Sequence, residues 1–262
     1  MKLQSKINYT QKGANNMHYS KKIPLEQDKI QLMIKSFEDG EYEYYENFKE
    51  HPTVTQNGKG ATIWNYIHTQ LTNNFSDSRF KTGIIPRGLW KLVYVFDNKT
   101  KYLYTFMRNQ NFMNLHKGNM LNRLYHYSNL LSRLNGELLG TYEPEYKQMS
   151  FIDEVSIDSE TDKKLESAFQ EMISTIDNQI DRYAIVLVDF NKCEVKNIEC
   201  VIPIAYMNPM YREEWKQYIK AEYDITEYHI DETKPSDDEI LLYTNNKDIN
   251  LSFKTKEKEA AK

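Results

Sequence analysis

"RGLWKLVYVFDNKTKYLYTFMR", residues 87–108, is the stretch that sets the fold class. Two runs rich in Val, Tyr, Phe and Trp flank Asp97-Asn98-Lys99-Thr100, where turn-forming residues cluster. That is the signature of a β-hairpin. Leu92, Tyr94 and Phe96 alternate with Lys91, Val93 and Val95, so both faces of the first strand are largely apolar. A strand of that kind is expected inside a sheet rather than at its edge.

Upstream, "PLEQDKIQLMIKSFEDG" places Ile30, Met33, Ile34 and Phe37 at helical spacing, with Gly40 as the expected stop. "EYEYYENFKEHPTVTQNGKG" reads as a tyrosine-rich loop or short helix, made irregular by Pro52, Gly58 and Gly60. A second helix is expected in "ATIWNYIHTQLTNNF", with Ile63, Ile67, Leu71 and Phe75 on one face. Downstream, a long helix is expected over Asn119 to Leu139, with Leu124, Tyr127, Leu131, Leu134 and Leu138 as its buried stripe.

The order of elements then recurs. "SIDSETDKKLESAFQEMISTIDNQ" reads as a helix capped by Ser159. "RYAIVLVDFNKCEVKNIECVIPIA" reads as a second hairpin turning at Asn191-Lys192, and "NPMYREEWKQYI" as a short helix anchored by Trp215. The expectation is an α+β fold of two helix/β-hairpin/helix modules with mainly antiparallel strands. The modules span residues 24–145 and 146–230, between an N-terminal arm (1–23) and a charged tail (231–262). They share an order of elements but no residue-level repeat. Whether they share one sheet is left open.

The chain has 262 residues, enough for a sizeable core, and 40% of them are hydrophobic, an ordinary globular value. Cys193 and Cys200 are the two cysteines, too few for a disulfide framework or a four-ligand zinc site. Reduced thiols in the cytoplasm are the simple reading. No apolar run reaches the roughly 18 residues of a membrane span. The basic N-terminus has no apolar stretch behind it, so no secretory signal is expected.

The net charge of −4 hides a strong asymmetry. Residues 79–133 carry ten Lys or Arg against one acid, Asp97, whereas residues 134–262 carry 15 bases and 28 acids. Basic side chains interleaved with aromatics suit phosphates and unpaired bases. Arg87, Arg108, Lys117, Arg123 and Arg133 are therefore the candidate anion-binding residues. The competing reading is internal: the basic segment docks on the acidic one.

Two enzymatic readings and one cation-binding reading follow from particular residues. His116 and His126 could act as acid and base in metal-independent RNA cleavage, with Arg108 or Arg123 holding the phosphate. A histidine beside a tyrosine, as in His126-Tyr127, is more often packed and hydrogen-bonded. Asp189 followed by Glu194-Val195-Lys196 resembles the metal-dependent restriction-type nuclease core, although the two acids sit only five apart across a tight turn. The acidic stretch Asp153 to Asp162 could bind a cation, but helix-start capping explains it more cheaply. No phosphate-binding glycine loop, Gly-x-Ser-x-Gly elbow or paired-histidine metal spacing is present. No cofactor is expected.

The stretches "RGLWKLVYVFDNKTKYLYTFMRNQNFMNL" (87–115), "HYSNLLSRLN", "DRYAIVLVDFNKCEVKNIECVIPIA" and "EEWKQYI" resemble an uncharacterised family of Gram-positive bacteria and their phages, a domain of unknown function. The likeness spans roughly residues 83–220 and implies a bacterial or phage cytosolic setting, with no activity and no catalytic residues. The functional expectation is a cytosolic, non-enzymatic binding protein. It would engage nucleic acid or a nucleic-acid-handling protein, as an inhibitor or component in phage defence or counter-defence, with homo-oligomers allowed and no membrane partner. The alternative is a nuclease or RNase-like toxin.

Overall fold

A computed structural model of the chain describes residues 23–87, 90–117, 124–141, 158–176 and 179–219. Among them, helices α1 (Gln27–Glu50) and α2 (Lys59–Asn74) precede strands β1 (Phe80–Arg87), β2 (Trp90–Asp97) and β3 (Tyr102–Arg108). Helices α3 (Asn109–Lys117), α4 (Tyr127–Ser132) and α5 (Ser159–Ser174) follow, with a 3₁₀ segment over Arg133–Thr141. Strands β4 (Arg182–Asn191), β5 (Glu194–Pro203) and β6 (Pro209–Glu214) complete the fold.

All six strands form one sheet in the order β1-β2-β3-β4-β5-β6. Every neighbouring pair is antiparallel except the central one, where β3 and β4 run parallel from Tyr102↔Arg182 to Arg108↔Val188. Two antiparallel meanders thus meet at one parallel seam. A parallel pair needs a crossover, and the chain between β3 and β4 supplies it with α3, α4 and α5. The α+β reading and the mainly antiparallel strands hold, and strands from both expected modules share this sheet.

Alternation along the strands divides the core in two. Val95, Tyr104, Phe106, Val186, Val188 and Phe190 point to one face, where Ile30, Met33, Phe37, Ile67 and Leu71 of α1 and α2 cover them. Leu103, Met107, Tyr183, Ile185 and Leu187 point to the other, against Phe112 of α3 and Tyr127 and Leu131 of α4. Asn135 ties the crossover to the sheet: it accepts a bond from the Tyr183 amide and donates to the Tyr183 and Pro203 carbonyls.

Several expected elements differ. Gly40 does not stop α1, which runs on through the tyrosine-rich stretch to Glu50. A Cβ at Gly40 would lie 2.6 Å from the Ile67 backbone, so this glycine lets α1 and α2 cross closely. The edge strand β1, "RFKTGIIPR" with its flanking Arg79, has no counterpart among the expected elements. It carries glycine and proline, and proline is tolerated on an edge. Gly83 there accommodates the Tyr94 ring, whose hydroxyl would sit 2.3 Å from an added Cβ.

The single helix expected over Asn119–Leu139 is not formed, although residues 118–123 lie outside the described part. His126 is extended and begins a new six-residue helix, α4, by accepting from the Ser128 amide; a 3₁₀ segment follows from Arg133. Most of the predicted stripe is still inside: Leu124, Tyr127, Leu131 and Leu138 are buried, and Leu134 is half-buried. Asp158, rather than Ser159, caps α5 by accepting from the amides of Glu160 and Thr161. The second hairpin turns at Lys192-Cys193, both at positive φ. "NPMYREEWKQYI" is strand β6 followed by one 3₁₀ turn, with Trp215 fully buried between them.

Candidate functional site

Among the described residues, the cations of the basic segment do not all gather on one face. Strand β3 is seven residues long, so its ends lie roughly 20 Å apart. At the turn end, Arg79 pairs with Asp97 and Glu26, and Lys99 pairs with Glu26. Glu26 is held down to about 2, first by the hydrogen bond from Arg79 and then by that from Lys99. These cations are already partnered within the N-terminal part. In the crossover, Arg133 bonds to Asp162 and Glu166 of α5, so here a basic residue docks on the acidic segment.

The opposite end of the sheet is different. It holds the carboxyl ends of the parallel pair, which is where open sheets commonly place ligand sites. Arg108 ends β3. Its guanidinium carbon lies 4.0 Å from the Phe190 ring centroid, and it donates to the Phe190 carbonyl at 3.4 Å. Asn109 follows it, donating to Asp189 at 3.3 Å, while its own carbonyl oxygen is buried without a partner. Phe190 also meets Phe37 at 6.1 Å and Trp64 at 6.0 Å, which links Arg108 through one aromatic cluster to α2.

Two glutamates of α1 brace the turn beside this cluster. Glu41 accepts from the Cys193 amide at 2.8 Å and Glu38 from the Val195 amide at 3.0 Å. Burial raises the Glu41 carboxyl, and the charges of Arg108 and Lys59 only partly oppose that. Burial, then the neighbouring Glu41, pushes the Cys193 thiol up to about 12, which makes it a poor nucleophile.

Next to the cluster, α2 and the β1–β2 hairpin enclose a groove of about 550 Å³. Trp64, Asn65, His68 and Asn73 line it from the helix; Ile84, Trp90, Lys91 and Val93 line it from the strands. Ile84 and Trp90 are 53% and 58% exposed, unusual for large apolar side chains. Tyr94 pairs with Thr105, so Lys91 and Arg108 stand three residues further along each strand, at the same end of the sheet. Arg87 pairs with Trp90 at that end too.

The remaining candidates are placed as follows. His126 is occupied in capping α4: its Nδ1 lies 2.6 Å from the Ser128 hydroxyl and its ring 4.5 Å from that of Tyr127. His116 and Lys117 belong to α3, but their side chains, like that of Arg87, lie outside the described part, as does Arg123 altogether. Glu194 is engaged by Lys196, and Asp189 by Asn109. Among the described residues, no three His, Cys, Asp or Glu side chains come together to hold a metal ion. No described helix is long and apolar enough to cross a membrane. Asp153 and Glu154 lie outside the described residues, and Asp158 serves as the helix cap.

Trp64 and His68 are not among the candidates that the sequence suggests. Their signal is a second stripe on α2, Asn65-His68-Thr69-Thr72-Asn73, at helical spacing. Such a polar stripe ordinarily marks a solvent face.

The model of DUF5986, a family of unknown function, matches residues 22–262. The chain belongs to that family. The match extends well beyond residues 83–220, taking in α1, α2 and the groove, so the groove lies wholly within the DUF5986 region. No curated protein matches the chain. No solved structure matches it either.

Proposed function

We propose that this DUF5986 protein is a non-enzymatic binding protein for nucleic acid, and that the contact surface is the end of the sheet formed by the α2–hairpin groove, Lys91 and Arg108. The observation that carries this reading is the groove itself. Exposed Trp90 and Lys91 both line it, in a segment with ten bases and one acid whose described ion pairs lie elsewhere on the fold. Aromatic faces stack on bases while Lys and Arg displace counterions from phosphates.

The surface is tested by an electrophoretic mobility assay on the full chain with labelled oligonucleotides over a salt series. Binding is expected at low salt and weakens as salt rises. Lys91→Glu weakens it further and flattens the salt dependence. Absence of any complex at low salt would overturn the reading.

A further inference from the structure

The groove offers an unusual set of polar groups. Thr69 and Thr72 turn their hydroxyls back onto the carbonyls of Asn65 and His68, at 2.9 and 2.8 Å. The side chains of Asn65, His68 and Asn73 make no hydrogen bond among the described residues. His68 is the most enclosed of the three. Its ring lies 5.5 Å from the Trp64 indole, tilted by 47°. Burial alone lowers its pKa to about 4, so the imidazole is neutral near pH 7 and presents one donor and one acceptor.

A half-buried imidazole with no partner, beside two amides and two indoles, is a poor lining for an apolar peptide. Such an occupant would leave those polar groups dry and unpaired. A nucleobase satisfies them: its flat faces stack on indole and its edge carries both donors and acceptors. Resting on the reading above that this surface binds nucleic acid, we infer that the groove takes up one unpaired base of a single strand, with Trp90 and Trp64 as its stacking surfaces and His68 reading its edge. Lys91, at the groove wall, meets the adjoining phosphate. A duplex keeps its base faces stacked and its pairing edges occupied, so it is excluded from this mode.

Fluorescence anisotropy with labelled single-stranded and duplex oligonucleotides on the full chain tests this. Wild type is expected to prefer the single strand. His68→Ala and Trp90→Ala each weaken single-strand binding by about tenfold. His68→Gln, which keeps a donor and an acceptor, recovers part of the loss. The salt slope is unchanged in His68→Ala, since His68 touches no phosphate, and is reduced in Lys91→Ala. If nucleic acid binds but the duplex is preferred, or neither His68→Ala nor Trp90→Ala weakens binding, the base-uptake mode is wrong while the surface reading stands. If no nucleic acid binds, both fall. Trp90 is exposed, so Trp90→Ala decides between these outcomes even if His68→Ala fails to fold.

Discussion

Arg79 grips the buried carboxylate of Asp97 with two parallel hydrogen bonds, Nε to Oδ1 at 3.0 Å and Nη2 to Oδ2 at 2.7 Å. The Lys99 amide and the Thr100 hydroxyl complete the cage. Burial alone would raise the carboxyl, but these four bonds outweigh it and its pKa is lowered. This lone acid of the basic segment therefore fixes both the β2–β3 turn and the start of β1.

Asp97→Ala leaves Arg79 without its buried partner and is expected to lower unfolding free energy by about 3–5 kcal/mol. Because the folded pKa is lowered, the contribution of Asp97 is present above the ordinary carboxylate range and is lost as pH falls through the folded value. Glu26 follows the same sign: its share is fully present above about 4.5 and is lost as pH falls through about 2. Urea unfolding at neutral and acidic pH measures both. A loss below about 1 kcal/mol at pH 7 would place Asp97 among ordinary surface ion pairs.

Gly40→Ala separates two opposing effects. Alanine in a helix interior is worth up to about 1 kcal/mol over glycine. Here the new methyl would meet the Ile67 backbone at 2.6 Å, and backbone does not swing aside as a side-chain tip does. Overpacking of this kind typically costs about 1–3 kcal/mol. A net loss of stability is therefore expected in thermal or denaturant unfolding; a gain would mean that α1 and α2 do not cross as described.

Glu41 is expected to behave oppositely to Asp97. Its folded carboxyl favours the protonated form, first because of burial. Its contribution is present below the ordinary carboxylate range and is lost as pH rises through the raised value. Glu41→Gln keeps an acceptor for the Cys193 amide and removes the buried charge, so it should match or exceed wild-type stability at pH 8. Glu41→Ala leaves that amide unpaired and costs roughly 1–3 kcal/mol. Equal losses in both variants, measured by unfolding at pH 5 and pH 8, would rule out the charge as the distinguishing feature.

The hairpins are legible because their information is local: alternation of side chains and a cluster of turn residues set β2, β3, β4 and β5. Where packing between distant elements decides, the sequence misleads. Gly40 reads as a helix stop until Ile67 is seen against it. Residues 209–214 read as part of a short helix anchored by Trp215, yet pairing with β5 makes them a strand. Of the candidate site, the charge asymmetry is visible. Its partition is not, since the pairing of Arg79, Lys99 and Arg133 depends on Glu26, Asp162 and Glu166, which are remote in the chain. Trp64 and His68 escape notice because a polar helical stripe looks the same whether it faces water or a groove.

Intrinsic tryptophan fluorescence of the full chain, titrated with an unlabelled single-stranded oligonucleotide at low salt, tests nucleic-acid binding at the groove most directly. Of the three tryptophans, Trp90 is exposed and Trp64 lines the groove, whereas Trp215 is fully buried and serves as a silent reference. Saturable quenching is predicted, weakening with added salt and largely lost in Trp90→Ala. Quenching that survives intact in Trp90→Ala would contradict base uptake against Trp90, and a flat titration would contradict nucleic-acid binding at the groove.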